Sequence, residues 1–103
     1  MANEKRIAIQ NINVPEHVVH VDAEKYRAMR TVLLKVIPKR KPGITQSEMM
    51  EAVRPHLPDK LWPNGDKSNW WVKTVQLDLE AKGIVVRDRN QKPLRWYRVA
   101  SLP

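Results

Sequence analysis

The chain contains no cysteine and no phenylalanine, and only three glycines among its 103 residues. Without cysteine there can be no disulfide framework, no thiolate metal site and no catalytic thiol. Three scattered glycines do not make a glycine-rich phosphate loop. Acidic residues are outnumbered by Lys and Arg, 11 against 19, and nowhere cluster as a magnesium or calcium site requires. No apolar run approaches the ~18 residues of a membrane span. The opening Met1-Ala2-Asn3-Glu4-Lys5-Arg6 lacks the apolar centre of a secretory signal, so a cytoplasmic protein without a membrane partner is expected. Of the three histidines, His17 and His20 lie three apart in a strand-like run, which points them to opposite faces and spoils a metal pair. Ser47 has no histidine near it in sequence to activate it. Neither catalysis nor a cofactor or metal is expected.

What is present fits one domain over 1–103: 42% hydrophobic residues, enough for a single modest core, and a net charge of +8. That charge favours polyanionic partners. Ile7, Ile9, Ile12 and Val14, then Val18, Val19 and Val21, read as two β-rich runs with the turn at Pro15-Glu16, an N-terminal hairpin over 1–21. Asp22 is a good N-cap, and Tyr26, Met29, Leu33 and Val36 repeat at helical spacing until Pro38, predicting a helix from Ala23 to about Ile37. The loop Pro38-Lys39-Arg40-Lys41-Pro42-Gly43 cannot be helical. Thr45-Gln46-Ser47-Glu48 has the spacing of a capping box and opens a second helix ending near His56. A turn-rich stretch follows, with Leu61 and Trp62 as anchors to the core. A third helix runs from Lys67 or Ser68 to Lys82 and ends on Gly83 as its left-handed residue. Ile84-Val85-Val86-Arg87 and Leu94-Arg95-Trp96-Tyr97-Arg98-Val99 are strand-like around a polar tip. The chain is thus α+β, with a core over 22–99 and a tail at 100–103.

Three helices, the second opening on Thr45-Gln46-Ser47-Glu48 and the third running through Leu79-Glu80-Ala81-Lys82-Gly83 into a basic hairpin, resemble the winged helix-turn-helix of bacterial transcription regulators. The likeness covers about residues 23–99, although the link Leu57 to Asp66 is longer than the tight turn of a standard helix-turn-helix. The whole chain, with its N-terminal hairpin and the Trp70-Trp71 pair, is also similar to a small bacterial family of winged-helix-like proteins of uncharacterised function, a likeness that supplies no activity. The first resemblance implies a third helix that enters a major groove, a second that buttresses it, and a final hairpin that acts as a wing on phosphates or the minor groove.

Charge by segment agrees in part. The final segment, 84–103, carries five basic side chains and one acidic, whereas 55–83, with the third helix, is balanced at four and four. Arg87, Arg89, Lys92 and Arg95 suit a phosphate-gripping wing; the same cations would also protect the hairpin's edges from aggregation. Lys39, Arg40 and Lys41 read first as a solvated loop. On a helical wheel Trp71, Val72, Val75 and Leu79 form the core arc, and Asn69, Lys73, Gln76 and Glu80 share another. Asn69, Lys73 and Gln76 could read base edges, and Thr45, Gln46 and Ser47 at the start of the second helix are expected as further nucleic-acid contacts. An ordinary solvated helix face would look the same. A second apolar stripe, Trp70, Thr74, Leu77 and Ala81, needs a cover: the N-terminal hairpin, or a homodimer interface through Trp70 and Leu77. Asp78 falls between the apolar arcs and needs a buried partner. The four tryptophans replace the missing phenylalanines as core aromatics rather than forming a stacking platform. Two functions follow as expectations: a small DNA-binding transcriptional regulator whose partner is duplex DNA, or a winged-helix module for protein contacts, homodimeric or with another protein, that does not bind DNA.

Overall fold

The computed structural model describes residues 5–99; the expected tail at 100–103 and the first four residues of the hairpin segment lie outside the described residues. In chain order the elements are β1 (Arg6–Asn11), β2 (Val14–Asp22), α1 (Ala23–Val36), β3 (Ile44–Thr45), α2 (Gln46–Val53), α3 (Ser68–Ala81), β4 (Val85–Asp88) and β5 (Arg95–Arg98). Short 3-10 turns over Arg54–His56 and Pro63–Gly65 join α2 to α3. The architecture is α+β: three helices with two small antiparallel sheets, β1-β2 and β3-β5-β4.

Helix starts follow from local capping. The Asp22 carboxylate accepts the Lys25 amide at 3.0 Å at the head of α1. At α2 the box is complete: the Glu48 amide donates to Thr45 Oγ1 at 3.1 Å, and the Thr45 amide donates to Glu48 Oε1 at 3.0 Å. Gly83 ends α3 with φ of +75°, a conformation that costs a residue bearing a Cβ. Thr45 also belongs to β3, a strand that the cap pattern did not announce, and Ile44 and Thr45 pair with Trp96 and Arg95 of β5.

The first hairpin turns earlier than Pro15-Glu16. The turn is Ile12-Asn13, because the Asn11 side chain accepts the Asn13 amide at 2.8 Å and closes the chain locally, so Pro15 and Glu16 sit inside β2. From there β2 pairs with β1 as Val18 with Gln10, Val19 with Ile9 and Val21 with Ile7. Ile7, Ile9, Val19 and Val21 therefore share the face turned to the helices, and Ile9 and Val21 are buried.

One core binds these elements. Tyr26, Met29, Leu33 and Ile37 meet Met49 and Val53 of α2, Trp71, Val72, Val75 and Leu79 of α3, Val85 and Trp96 of the C-terminal sheet, and Ile9 and Val21 of the hairpin. Each large apolar side chain so buried contributes roughly 1.5–3 kcal/mol. Trp62, 1% exposed, anchors the long link as expected and packs edge to face on Trp71 with ring centres 6.1 Å apart.

Candidate functional site

The site residues expected from the sequence surround α3, and packing sorts them into two groups. The N-terminal hairpin lies against one flank of the helix, α2 and β4 against others, so that every residue from Val75 to Glu80 is buried. The wheel arc of Asn69, Lys73, Gln76 and Glu80 is therefore split: Asn69 and Lys73 are exposed, whereas Gln76, 1% exposed, and Glu80 turn inward.

Those two inward residues form a polar line across the domain. Gln46 Nε2 donates to Gln76 Oε1 at 2.8 Å, and Gln76 Nε2 donates to Glu80 Oε1 at 2.7 Å. Arg87 of β4 grips Glu80 with both arms of its guanidinium, Nε to Oε2 at 3.0 Å and Nη2 to Oε1 at 3.1 Å. The guanidinium also stands 5.4 Å from the centre of the Trp96 ring. Two-pronged, largely desolvated pairing of this kind fixes orientation as well as charge. Gln76 and Arg87 are thus committed within the protein: Gln76 has no solvent-facing surface from which to read a base, and Arg87 braces the second hairpin against α3. In the sequence Glu80 stands only as an acid on the arc of Asn69 and Lys73; its pairing with Arg87 is made across the Gly83 turn.

Arg95 is held similarly. Its Nη1 donates to the Gly43 carbonyl at 2.8 Å and lies 3.5 Å from Glu48 Oε1, while Arg98 Nε donates to the Ile37 carbonyl at 2.8 Å. The Thr45 amide hydrogen bond, with the Arg95 charge behind it, holds the Glu48 carboxyl below its ordinary range. Thr45 is buried in its cap and Gln46 half-buried under its bond to Gln76. What remains open is Ser47 at the start of α2, Asn69 and Lys73 on the first two turns of α3, and Arg89 and Lys92 at the tip between β4 and β5. Among the described residues neither Arg89 nor Lys92 has an ion-pair or hydrogen-bond partner. Lys39, Arg40 and Lys41 are exposed on their loop.

The other stripe of α3 is covered by the hairpin only toward its C-terminal end. Leu77 is buried at 9% exposure, whereas Trp70 stands 56% exposed. Between them a groove of about 160 Å³ is walled by Trp70, Thr74 and Leu77 on one side and Ile9, His17 and Val19 on the other. Asp78, wholly buried, finds its partners in the Tyr26 hydroxyl, the Gln10 amide and Lys82. Among the described residues no group of three or more His, Asp or Glu side chains could hold a metal ion, and no helix is long and apolar enough to cross a membrane.

The class that fold and site define is an α+β protein whose third helix is enclosed by two hairpins and leaves exposed cations on the second. The chain belongs to DUF6958, a family of unknown function whose model matches residues 6–96. No curated protein and no solved structure matches it.

Proposed function

We propose that this chain is a small winged-helix protein that grips duplex DNA and serves as a transcriptional regulator. The element order supports the reading: three helices, a short strand before the second, and a β4–β5 hairpin directly after the third, with β5 central in its sheet. The observation that carries it is the division of labour among the wing cations. Arg87 and Arg95 are tied to Glu80 and Glu48 and hold the hairpin, while Arg89 and Lys92 stand exposed at its tip and unpaired among the described residues. A braced hairpin that presents two unengaged cations suits phosphate contact, which positions a protein on the duplex without reading sequence. Asn69, on the first turn of α3, is the groove-facing residue and Lys73, one turn on, meets the phosphates beside it, since helix-turn-helix proteins read base edges with the N-terminal part of the recognition helix.

Arg89, Lys92 and Lys73 together set the expected salt dependence. Three phosphate contacts give a loss of affinity of about forty-fold between roughly 50 and 200 mM salt. Fluorescence anisotropy of a mixed-sequence duplex titrated with the protein at both salts measures it. Absence of binding at the lower salt refutes the reading.

A second reading, a scaffold for protein contacts without DNA, is favoured by the burial of Val75 to Glu80, which leaves little of α3 to enter a groove, and by the exposure of Trp70.

A further inference from the structure

We propose that β2 is a dimerisation strand, whose free edge pairs antiparallel with β2 of a second copy about a two-fold axis at Val18. The inference does not depend on DNA binding.

Backbone geometry identifies the free groups. The Gln10 amide donates to Asp78 Oδ1 at 2.9 Å and so points away from β2. Gln10 and Val18 therefore face each other without exchanging ladder bonds, and the alternation of an antiparallel pair then directs the N–H and C=O of Val18 away from β1. The same alternation directs those of His20 outward, and the Ala23 amide bonded to the Lys5 carbonyl at 2.9 Å continues the complementary, inward-bonding set. Among the described residues nothing engages the outward groups of Val18 and His20.

The side chains leave that edge open. His17 through His20 are all exposed, Val18 at 47% and Val19 at 39%. Natural sheets guard such edges with charge, above all with lysine. This chain spends 19 Lys and Arg elsewhere and places none between Arg6 and Lys25. Pro15, another kind of guard, lies toward the turn, where the register shifts, and leaves Val18 to His20 clear.

Charge selects the register and the occupant. With the axis at Val18, Glu16 lies opposite His20 of the second copy, twice by symmetry. With the axis at Val19, Glu16 would oppose Asp22, a like-charge pair that destabilises a ladder. Backbone direction admits both registers, since each brings the outward groups of Val18 and His20 onto outward groups of the second copy, so the charge pairing makes the choice. The product is a four-stranded sheet in the order β1-β2-β2-β1, stronger than a two-stranded ribbon. It also sets Val19 beside the second copy's His17, on the face that walls the Trp70 groove.

Sedimentation velocity on the full chain, with three sets of variants, tests this. The wild type is expected to be dimeric. His20→Glu places Glu16 opposite a glutamate and weakens the dimer on the order of tenfold or more, and adding Glu16→Lys restores it by setting a cation opposite the new glutamate. Because the chain has no other thiol, Val18→Cys is expected to give a disulfide-linked dimer on oxidation. Facing Cα atoms in a bonded antiparallel pair lie about 5.5 Å apart, inside the disulfide range. Val19→Cys, two residues out of register with itself, is expected to remain uncrosslinked. A wild type that stays monomeric up to about 1 mM overturns the proposal. So does a dimer indifferent to His20→Glu, or one that Val19→Cys traps in preference to Val18→Cys.

Discussion

The hydroxyl of Tyr26 on α1 donates a 2.5 Å hydrogen bond to the carboxylate of Asp78 on α3, at a point where Asp78 has no exposure to solvent. The other carboxylate oxygen accepts the Gln10 amide of β1 at 2.9 Å, and Lys82 pairs with the group from the next turn of the helix. A single buried acid thus joins two helices and the N-terminal hairpin. A buried charge is tolerable only when it is paired and hydrogen-bonded in this way.

Removing the carboxylate is therefore expected to cost more than removing any one donor. Asp78→Ala strands the Tyr26 hydroxyl and the Gln10 amide and should cost about 3 kcal/mol, whereas Tyr26→Phe leaves two donors in place and should cost about 1–2 kcal/mol. Urea denaturation followed by tryptophan fluorescence measures both as shifts in the midpoint. Equal losses in the two variants would mean that Asp78 does not gather the three elements.

The same pair carries a pH dependence at the alkaline end. Burial, then the hydrogen bond to Asp78 and its negative charge, raise the Tyr26 phenol well above its ordinary range. With the folded value above the unfolded one, the stabilisation is whole below the unfolded phenol pKa of about 10 and declines as pH rises through the folded value. In an ultraviolet titration compared with that of Tyr26→Phe, the Tyr26 phenol should ionise only above its ordinary range or on unfolding. A Tyr26 phenol that ionises near pH 10 in the folded protein would contradict the buried bond.

Gly43 and Gly83 make a contrast in which backbone conformation is matched and surroundings differ. Both have positive φ, +88° and +75°, so alanine at either pays the left-handed penalty of about 1–2 kcal/mol. At Gly83 a Cβ meets no heavy atom within 4 Å, but at Gly43 it would lie 2.2 Å from the Trp96 carbonyl oxygen. Gly43→Ala must therefore push β3 off β5, and is expected to destabilise by at least about 1 kcal/mol more than Gly83→Ala. Thermal unfolding of the two variants side by side measures the difference.

Features governed by neighbours in sequence were legible before the structure. The Asp22 cap, the Thr45–Glu48 box and the Gly83 stop each use side chains within a few positions, so their chemistry is complete in the text of the chain. The first hairpin turn is less legible because two local signals compete there, and the Asn11 side chain, not Pro15, closes the turn. The wheel of α3 gives the direction of each side chain but not what stands opposite it. Gln76 and Glu80 share an arc with Lys73, yet α2 supplies Gln46 and β4 supplies Arg87 to cover them, contacts made by residues distant in sequence. Asp78 was legible as a buried acid, since its position between two apolar arcs demanded partners; which partners depended on where the hairpin packed.

That distinction between bracing and open cations yields the prediction that bears most directly on function. Arg87 is 14% exposed and bound to a Glu80 that is 5% exposed, so Arg87→Ala leaves an uncompensated acid and is expected to cost about 3 kcal/mol of stability. Arg89 and Lys92 are exposed and, among the described residues, unpaired, so the Arg89→Glu, Lys92→Glu double variant should unfold within about 0.5 kcal/mol of the wild type. Its effect should fall on DNA instead. With only Lys73 left of the three contacts, the loss of affinity between roughly 50 and 200 mM salt is expected to shrink from about forty-fold to about four-fold, and binding at the lower salt to weaken. Anisotropy titrations of the double variant against the same duplex, paired with its denaturation curve, separate the two outcomes. A normally folded double variant with unchanged affinity and unchanged salt slope would remove the β4–β5 hairpin from the proposed DNA contact and leave the protein-contact reading of this scaffold in its place.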